Sequence, residues 1–201
     1  MESRGGDLVT HIEGLSGTVI VLAHPCSGTM WLCEQLRAVG ISADHEKHPV
    51  SPTSDPAALR GRVLVTFKKW GPALERYDHV LHLVRHPLRV IDSAVALTAY
   101  RPKLALTIAA YICGAGMRAA VAPLVHALTP PALMAHTLWI LNDRASRVSA
   151  STFRLEAIAE RVPANRNQHV RTTAARVWPQ LFNESASASG LFQQAEQYGY
   201  F

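Results

Sequence analysis

Several things are scarce or missing in this sequence. It has only three cysteines in 201 residues, Cys26, Cys33 and Cys113, and none forms a CxxC pair. A sparse, odd set argues against a disulfide framework and for a reducing compartment, so a cytoplasmic location is expected. The polar start, Met1 to Asp7, lacks the features of a secretory signal. Within the apolar segment Leu104–Leu128 the longest uncharged run, Leu104 to Met117, is too short for a bilayer, which needs about 20 residues. Arg118, Pro123 and His126 break the apolar character beyond Met117, so Leu104–Leu128 is expected to be a buried or substrate-covering helix, without membrane contact. Basic residues do not cluster into a run, so no nucleic-acid arm is expected. There is no internal repeat, and no G-x-x-x-x-G-K-[ST] loop of the nucleotide-kinase kind.

What is present suffices for one full domain over residues 1–201: 48% of the residues are hydrophobic, enough for a sizeable core. Twenty Lys and Arg against fifteen Asp and Glu give a net charge of +5. Most of the cations are Arg, which suits bidentate contacts to phosphate or sulfate. A mildly positive surface and an anionic small ligand are both consistent with that balance. Short β-branched runs bounded by turn residues predict strands over Thr18–Ala23, Arg62–Phe67, His79–Val84 and Ala150–Leu155, with Ile41–Ala43 as a candidate fifth. Helical spacing covers Thr29–Val39, ended by Gly40, then Pro87–Ala99, with Leu88, Ile91, Val95 and Thr98 on one face, and Pro131–Val148. Ser51–Pro56 and Asn183–Ser189 are loops by composition. Alternating strands and helices predict an α/β domain with a parallel sheet.

The stretch Ala23-His-Pro-Cys-Ser-Gly-Thr-Met-Trp-Leu32 joins the first strand to the first helix. Such a junction directs backbone N–H groups at one spot, and the helix dipole adds partial positive charge there. Ser27 and Thr29 can add hydroxyl donors, and Gly28 lets the backbone approach a ligand closely. This is anion-binding chemistry, although an ordinary Ser-Gly turn with a capping threonine has the same residues. A second motif comes after the strand His79–Val84: Arg85, then Pro87 opening a helix, then Ser93 eight positions after the arginine.

Together the two motifs resemble the sulfotransferases that use 3′-phosphoadenosine 5′-phosphosulfate. In that family a strand–loop–helix of the type P-[KR]-S-G-T-[ST]-W-L holds the 5′-phosphosulfate, and a later Arg with a Ser eight residues on holds the 3′-phosphate. Fainter likenesses lie in Ile41–Lys47, Trp139–Arg144, Phe153–Ile158 and the closing Ala195–Tyr200, so the resemblance covers most of the chain and is that of a small bacterial member. It implies a three-layer P-loop-type parallel sheet flanked by helices. It also implies a donor site made by Cys26, Ser27, Gly28, Thr29, Met30, Trp31, Arg85 and Ser93. The partner implied is a small-molecule acceptor with a hydroxyl or amine, lying under Leu104–Leu128 and Pro131–Val148.

Three departures from the family pattern matter. Cys26 stands where the family carries a Lys or Arg, and a neutral thiol cannot stabilise charge on a leaving phosphate. Lys68 and Lys69, just after the third strand, are the substitutes available in the sequence, with Lys68 the first choice. Met30 replaces a hydroxyl residue. Phe67 stands where many relatives place a catalytic His, which leaves Glu46 as the candidate base, flanked by His45 and His48. A metal held by His45, His48 and an acid is the alternative for that cluster, but no second cluster at ligand spacing accompanies it, and no metal is expected. His24 is the only base candidate beside Cys26. The rival to an enzyme is a nucleotide-binding scaffold on the same fold; transfer of another anionic group, such as phosphoryl, is a third reading.

Overall fold

The run Val19–Ala23 forms the central strand, β1, and is buried at every position. A strand apolar on both faces needs cover on both sides, which is the signature of a parallel sheet between helical layers. The computed structural model describes residues 7–45, 63–66, 72–100, 130–159 and 186–200. The expected helix over Leu104–Leu128 and the expected loop Ser51–Pro56 lie outside them. The chain divides into two compact units, residues 1–84 with 145–162, and residues 85–144 with 163–201.

The first unit holds α1 (Leu8–Glu13), β1, α2 (Thr29–Ala38), β2 (Ala43–His45), β3 (Val63–Thr66), a 3-10 turn (Pro72–Arg76), β4 (His79–Val84), β5 (Ser151–Arg154) and α5 (Leu155–Ala159). Its sheet has the order β2-β3-β1-β4-β5 and every pairing is parallel. The expected α/β parallel sheet flanked by helices is therefore the observed fold. From β1 the chain moves past β3 to β2, while the later connections run the opposite way along the sheet. Right-handed crossovers agree with the placement of α2 on one face and the 3-10 turn on the other.

The cores agree with this. Val19, Val21 and Ala23 of β1 pack with Leu8 and Ile12 of α1, with Trp31, Leu32 and Leu36 of α2, and with Phe153 and Ile158. Ile20 and Leu22, on the opposite face, pack with Leu64, Ala145, Leu74 and Tyr77. The strand order thus reverses at β1, and its carboxyl end is the topological switch point where open α/β sheets bind ligands.

Two strand boundaries differ from the sequence expectation. The short strand lies at Ala43–His45 rather than Ile41–Ala43. Gly40, at φ +84°, closes α2 by a Schellman motif: its N–H donates to the Arg37 carbonyl (3.0 Å), and the Ile41 N–H donates to that of Leu36 (2.8 Å). Ile41 therefore belongs to the helix ending and cannot pair until the chain has turned. Leu155, expected in the last strand, begins α5 instead, because β5 pairing ends with Arg154 opposite Val84, the last residue of β4.

The second unit contains α3 (Pro87–Tyr100), α6 (Ala186–Gln197) and, up to Arg144, the helix α4 (Pro130–Val148). The buried stripe of α3 is Val90, Ile91 and Ala94, so the stripe read from Leu88 and Val95 is one position off; both of those are half-buried. Residues Ala186–Ser189, expected in a loop, start α6. Ala and Ser are tolerated in a helix, and packing decides. A Cβ on Gly190 would sit 2.7 Å from the Trp139 indole nitrogen, and Gln194 donates its amide to the Trp139 carbonyl (3.1 Å). Among the described residues no helix is long and apolar enough to cross a membrane.

Candidate functional site

The loop between β1 and α2 begins with a tight turn. The Ser27 N–H donates to the His24 carbonyl at 3.1 Å, closing His24-Pro25-Cys26-Ser27. Proline fixes a negative φ at the second position, and Cys26 has φ +68° at the third. A negative angle followed by a positive one is a type II turn, whose third position ordinarily holds glycine. Cys26 is the one non-glycine residue with positive φ among those described. Its backbone is set by the proline before it and the helix after it. The thiol is half-buried and is not part of a disulfide.

Gly28, at φ +81°, is the N-cap of α2 and makes no side-chain cap. The first N–H groups of a helix have no partner within it, so those at the start of α2 are left to an incoming acceptor. A Cβ on Gly28 would lie 2.6 Å from a Leu155 methyl carbon, so only glycine lets the loop seat against the start of α5. Ser27 is 1% exposed and Thr29 6%, whereas Met30 stands out at 64%. Trp31 points into the core with α1 and β1.

The structure brings His45 to this loop. Its Nε2 lies 2.8 Å from the Thr29 hydroxyl oxygen, joining the carboxyl end of β2 to the first residue of α2. The pairing of β2 with β3, His45 opposite Val65, places the imidazole there. Glu46, His48, Lys68 and Lys69 lie outside the described residues. Arg85 comes directly after Val84, at the end of the strand beside β1, and is half-buried; Ser93, also half-buried, is on α3 of the second unit. Among the described residues no group of three His, Cys, Asp or Glu is placed to hold a metal ion.

Three further polar groups are buried at positions that sequence reasoning did not single out for burial. His24 is 1% exposed, and burial pushes its imidazole down to about 4, against a smaller opposing effect of its bond to the Pro25 carbonyl. That bond, Nδ1 to Pro25 O at 2.5 Å, fixes the tautomer: a carbonyl only accepts, so Nδ1 carries the hydrogen and Nε2 is a bare acceptor. Nε2 has no hydrogen-bond partner among the described residues. His82 of β4 is wholly buried, with Nδ1 3.4 Å from the Thr152 hydroxyl. On α3, burial raises the Asp92 carboxyl above its ordinary value, and Oδ2 has no partner among the described residues. The signal for His24 and His82 was a histidine inside or ending an otherwise apolar strand run. Cys33 is inert by contrast, its thiol pushed up to about 12, mainly by burial.

Set against family models, curated proteins and solved structures, the chain matches none of them.

Proposed function

We propose that this protein is a sulfotransferase that moves a sulfuryl group from 3′-phosphoadenosine 5′-phosphosulfate to a hydroxyl or amine of a small-molecule acceptor. The observation that carries the reading is the uncapped start of α2 at the carboxyl end of the central strand, with the hydroxyl residues Ser27 and Thr29 buried beside it. That arrangement suits a phosphosulfate, and the ordered pair of motifs, with Arg85 and Ser93 later in the chain, suits a nucleotide with a second phosphate on its 3′ side. Arg85 would take that phosphate through a charge-assisted fork, and Ser93 would add a hydroxyl.

In the reaction the acceptor oxygen or nitrogen attacks sulfur, and the bond between sulfur and the 5′-phosphate oxygen breaks. The acceptor's proton passes to a base, which we assign to Glu46, and the nucleotide leaves as the 3′,5′-bisphosphate. The chain's task is to hold donor and acceptor in line and to stabilise charge on the leaving phosphate. The loop amides, Thr29 and Lys68 are the groups assigned to that charge. Cys26 favours a second reading, a scaffold that binds the nucleotide without turning it over, because the position that usually carries a cation holds a thiol. The two readings separate by incubating the protein with the donor and panels of alcohols, phenols and amines. An enzyme releases the 3′,5′-bisphosphate and a sulfated acceptor in equal amounts. Binding of the donor with no release for any acceptor class leaves the scaffold.

A further inference from the structure

We infer that Nε2 of His24 is a binding atom: it accepts a hydrogen bond from a hydroxyl or amino group of the nucleoside held at this loop, so the site reads a hydrogen as well as an anion. The inference rests on the nucleotide reading of the loop and adds a contact to it. His24 follows directly on β1 and is the first residue of the turn that leads to α2. Its ring is bound through Nδ1 to the Pro25 carbonyl, inside that turn. Nδ1 and Nε2 flank the same ring carbon, so the edge that meets the turn also carries Nε2. That atom is buried and has no hydrogen-bond partner among the described residues.

The polarity of Nε2 names what can satisfy it. The uncapped start of α2 offers N–H donors, which suit an anion. Nε2 is the opposite. Burial keeps the imidazole neutral at neutral pH and Nδ1 keeps the hydrogen, so Nε2 can only accept. Anion oxygens have no hydrogen to give. A phosphosulfate carries none near neutral pH, and a phosphate monoester loses its last proton near pH 6. In the reaction proposed above the acceptor's hydrogen leaves to the base. The hydrogens that stay in place are those of the nucleoside, on the ribose 2′-hydroxyl and the adenine 6-amino group.

Folding has already stripped water from Nε2, so a ligand's hydrogen bond to it is not offset by desolvating that atom again. The bond also forms away from water, where it is stronger. The contact with Pro25 does not by itself call for a histidine. An asparagine amide can donate to the same carbonyl, and it places no acceptor at the position of Nε2. The second ring nitrogen is what histidine adds here.

The probes are adenosine 3′,5′-bisphosphate, its 2′-deoxy analogue and its inosine analogue, in which a carbonyl replaces the 6-amino group. Calorimetric titration of the whole chain with each is compared between the unaltered protein and His24→Asn. In the unaltered protein an analogue that lacks the donated hydrogen should bind on the order of tenfold more weakly than the parent, the worth of one such hydrogen bond. In His24→Asn that deficit should vanish, because the atom that detects the hydrogen is gone. A deficit that vanishes for the 2′-deoxy analogue assigns the contact to the ribose, and one that vanishes for the inosine analogue assigns it to the adenine. Should His24→Asn fold poorly, the imidazole nitrogen resonances of the unaltered protein serve instead. The Nε2 signal should move toward that of a hydrogen-bonded nitrogen on adding the parent, and should not on adding the analogue that lacks the hydrogen. Binding of the bisphosphate with the same deficits in both proteins, or with no response at Nε2, overturns this inference and leaves the anion site standing. Failure of all three probes to bind overturns both.

Discussion

Acid should weaken this protein through His24 in particular. The imidazole is buried, neutral and bound to the Pro25 carbonyl through Nδ1, and its pKa in the fold is about 4 against an ordinary 6.5. A base whose pKa is lower in the folded state binds its proton more readily when unfolded. Its neutral form is compatible with the fold at and above neutral pH, and stability is lost as the pH falls from about 6.5 toward 4. The difference between the two values corresponds to about 3 kcal/mol in full. At about pH 4.5, where the unfolded imidazole is charged and the folded one mostly neutral, roughly 2.5 kcal/mol of that is expressed. Against a total stability of about 5–15 kcal/mol for an ordinary domain, that is a substantial part.

The assay is urea denaturation at about pH 7 and about pH 4.5, for the unaltered protein and for His24→Asn. The asparagine amide can donate to the Pro25 carbonyl and does not titrate. Its absolute stability is not the readout, because any buried substitution carries its own cost. What counts is the loss between the two pH values, to which the carboxylates contribute equally in both proteins. The unaltered protein should lose about 2.5 kcal/mol more than His24→Asn. Equal losses would refute the argument and mean that His24 has a charged partner or a route to water.

Gly28→Ala should cost more than about 2 kcal/mol, because a positive φ penalty of about 1–2 kcal/mol adds to an overlap with Leu155 at 2.6 Å. Gly40→Ala has the same kind of angle but open space around its Cβ, so it should cost only the angle penalty of about 1–2 kcal/mol; denaturant midpoints compare the two. Cys26→Ser should leave nucleotide binding nearly unchanged, whereas Cys26→Lys should tighten 3′,5′-bisphosphate binding by about 1.5–3 kcal/mol. Weaker binding in Cys26→Lys would mean that another cation already fills the space, and loss of turnover with binding intact in Cys26→Ser would make the thiol catalytic. Arg85→Ala should weaken the 3′,5′-bisphosphate by about 1.5–3 kcal/mol and a nucleotide lacking the 3′-phosphate far less. Equal weakening of both would remove the 3′-phosphate from Arg85.

The strands β1 and β4 were readable because a parallel sheet demands unbroken apolar runs, and those runs end in turn residues. Helix α2 was readable for the same reason at a different period, with Leu32 and Leu36 buried as the spacing requires. Elements that depend on packing more than on pattern were not. The six residues of α1 are too few to display a period, and its Leu8, Val9 and Ile12 are fixed by the core they enter. The start of α6 at Ala186 has a weak local signal, and Trp139 of α4 packs against Gly190 only once both helices exist.

The loop itself was legible as a strand–turn–helix junction, because Pro25, Gly28 and Thr29 each have a defined place in such a turn. The positive φ of Cys26 could have been suspected from Pro25, since a residue after a turn-opening proline often takes it. The Thr29–His45 contact could not. It depends on how β2 registers against β3, and the two residues, sixteen positions apart, are joined by no pattern that sets that register.

The central claim is that this loop, with a cysteine in place of its cation, receives the 5′ end of a nucleotide that also carries a 3′-phosphate. Calorimetric titration with 3′-phosphoadenosine 5′-phosphate, alongside ATP, tests that most directly. Saturable binding of the bisphosphate at one site per chain, with ATP showing none under the same conditions, is the predicted result. Equal binding of both would assign the loop to nucleotide phosphates in general, and binding of neither would contradict the claim outright.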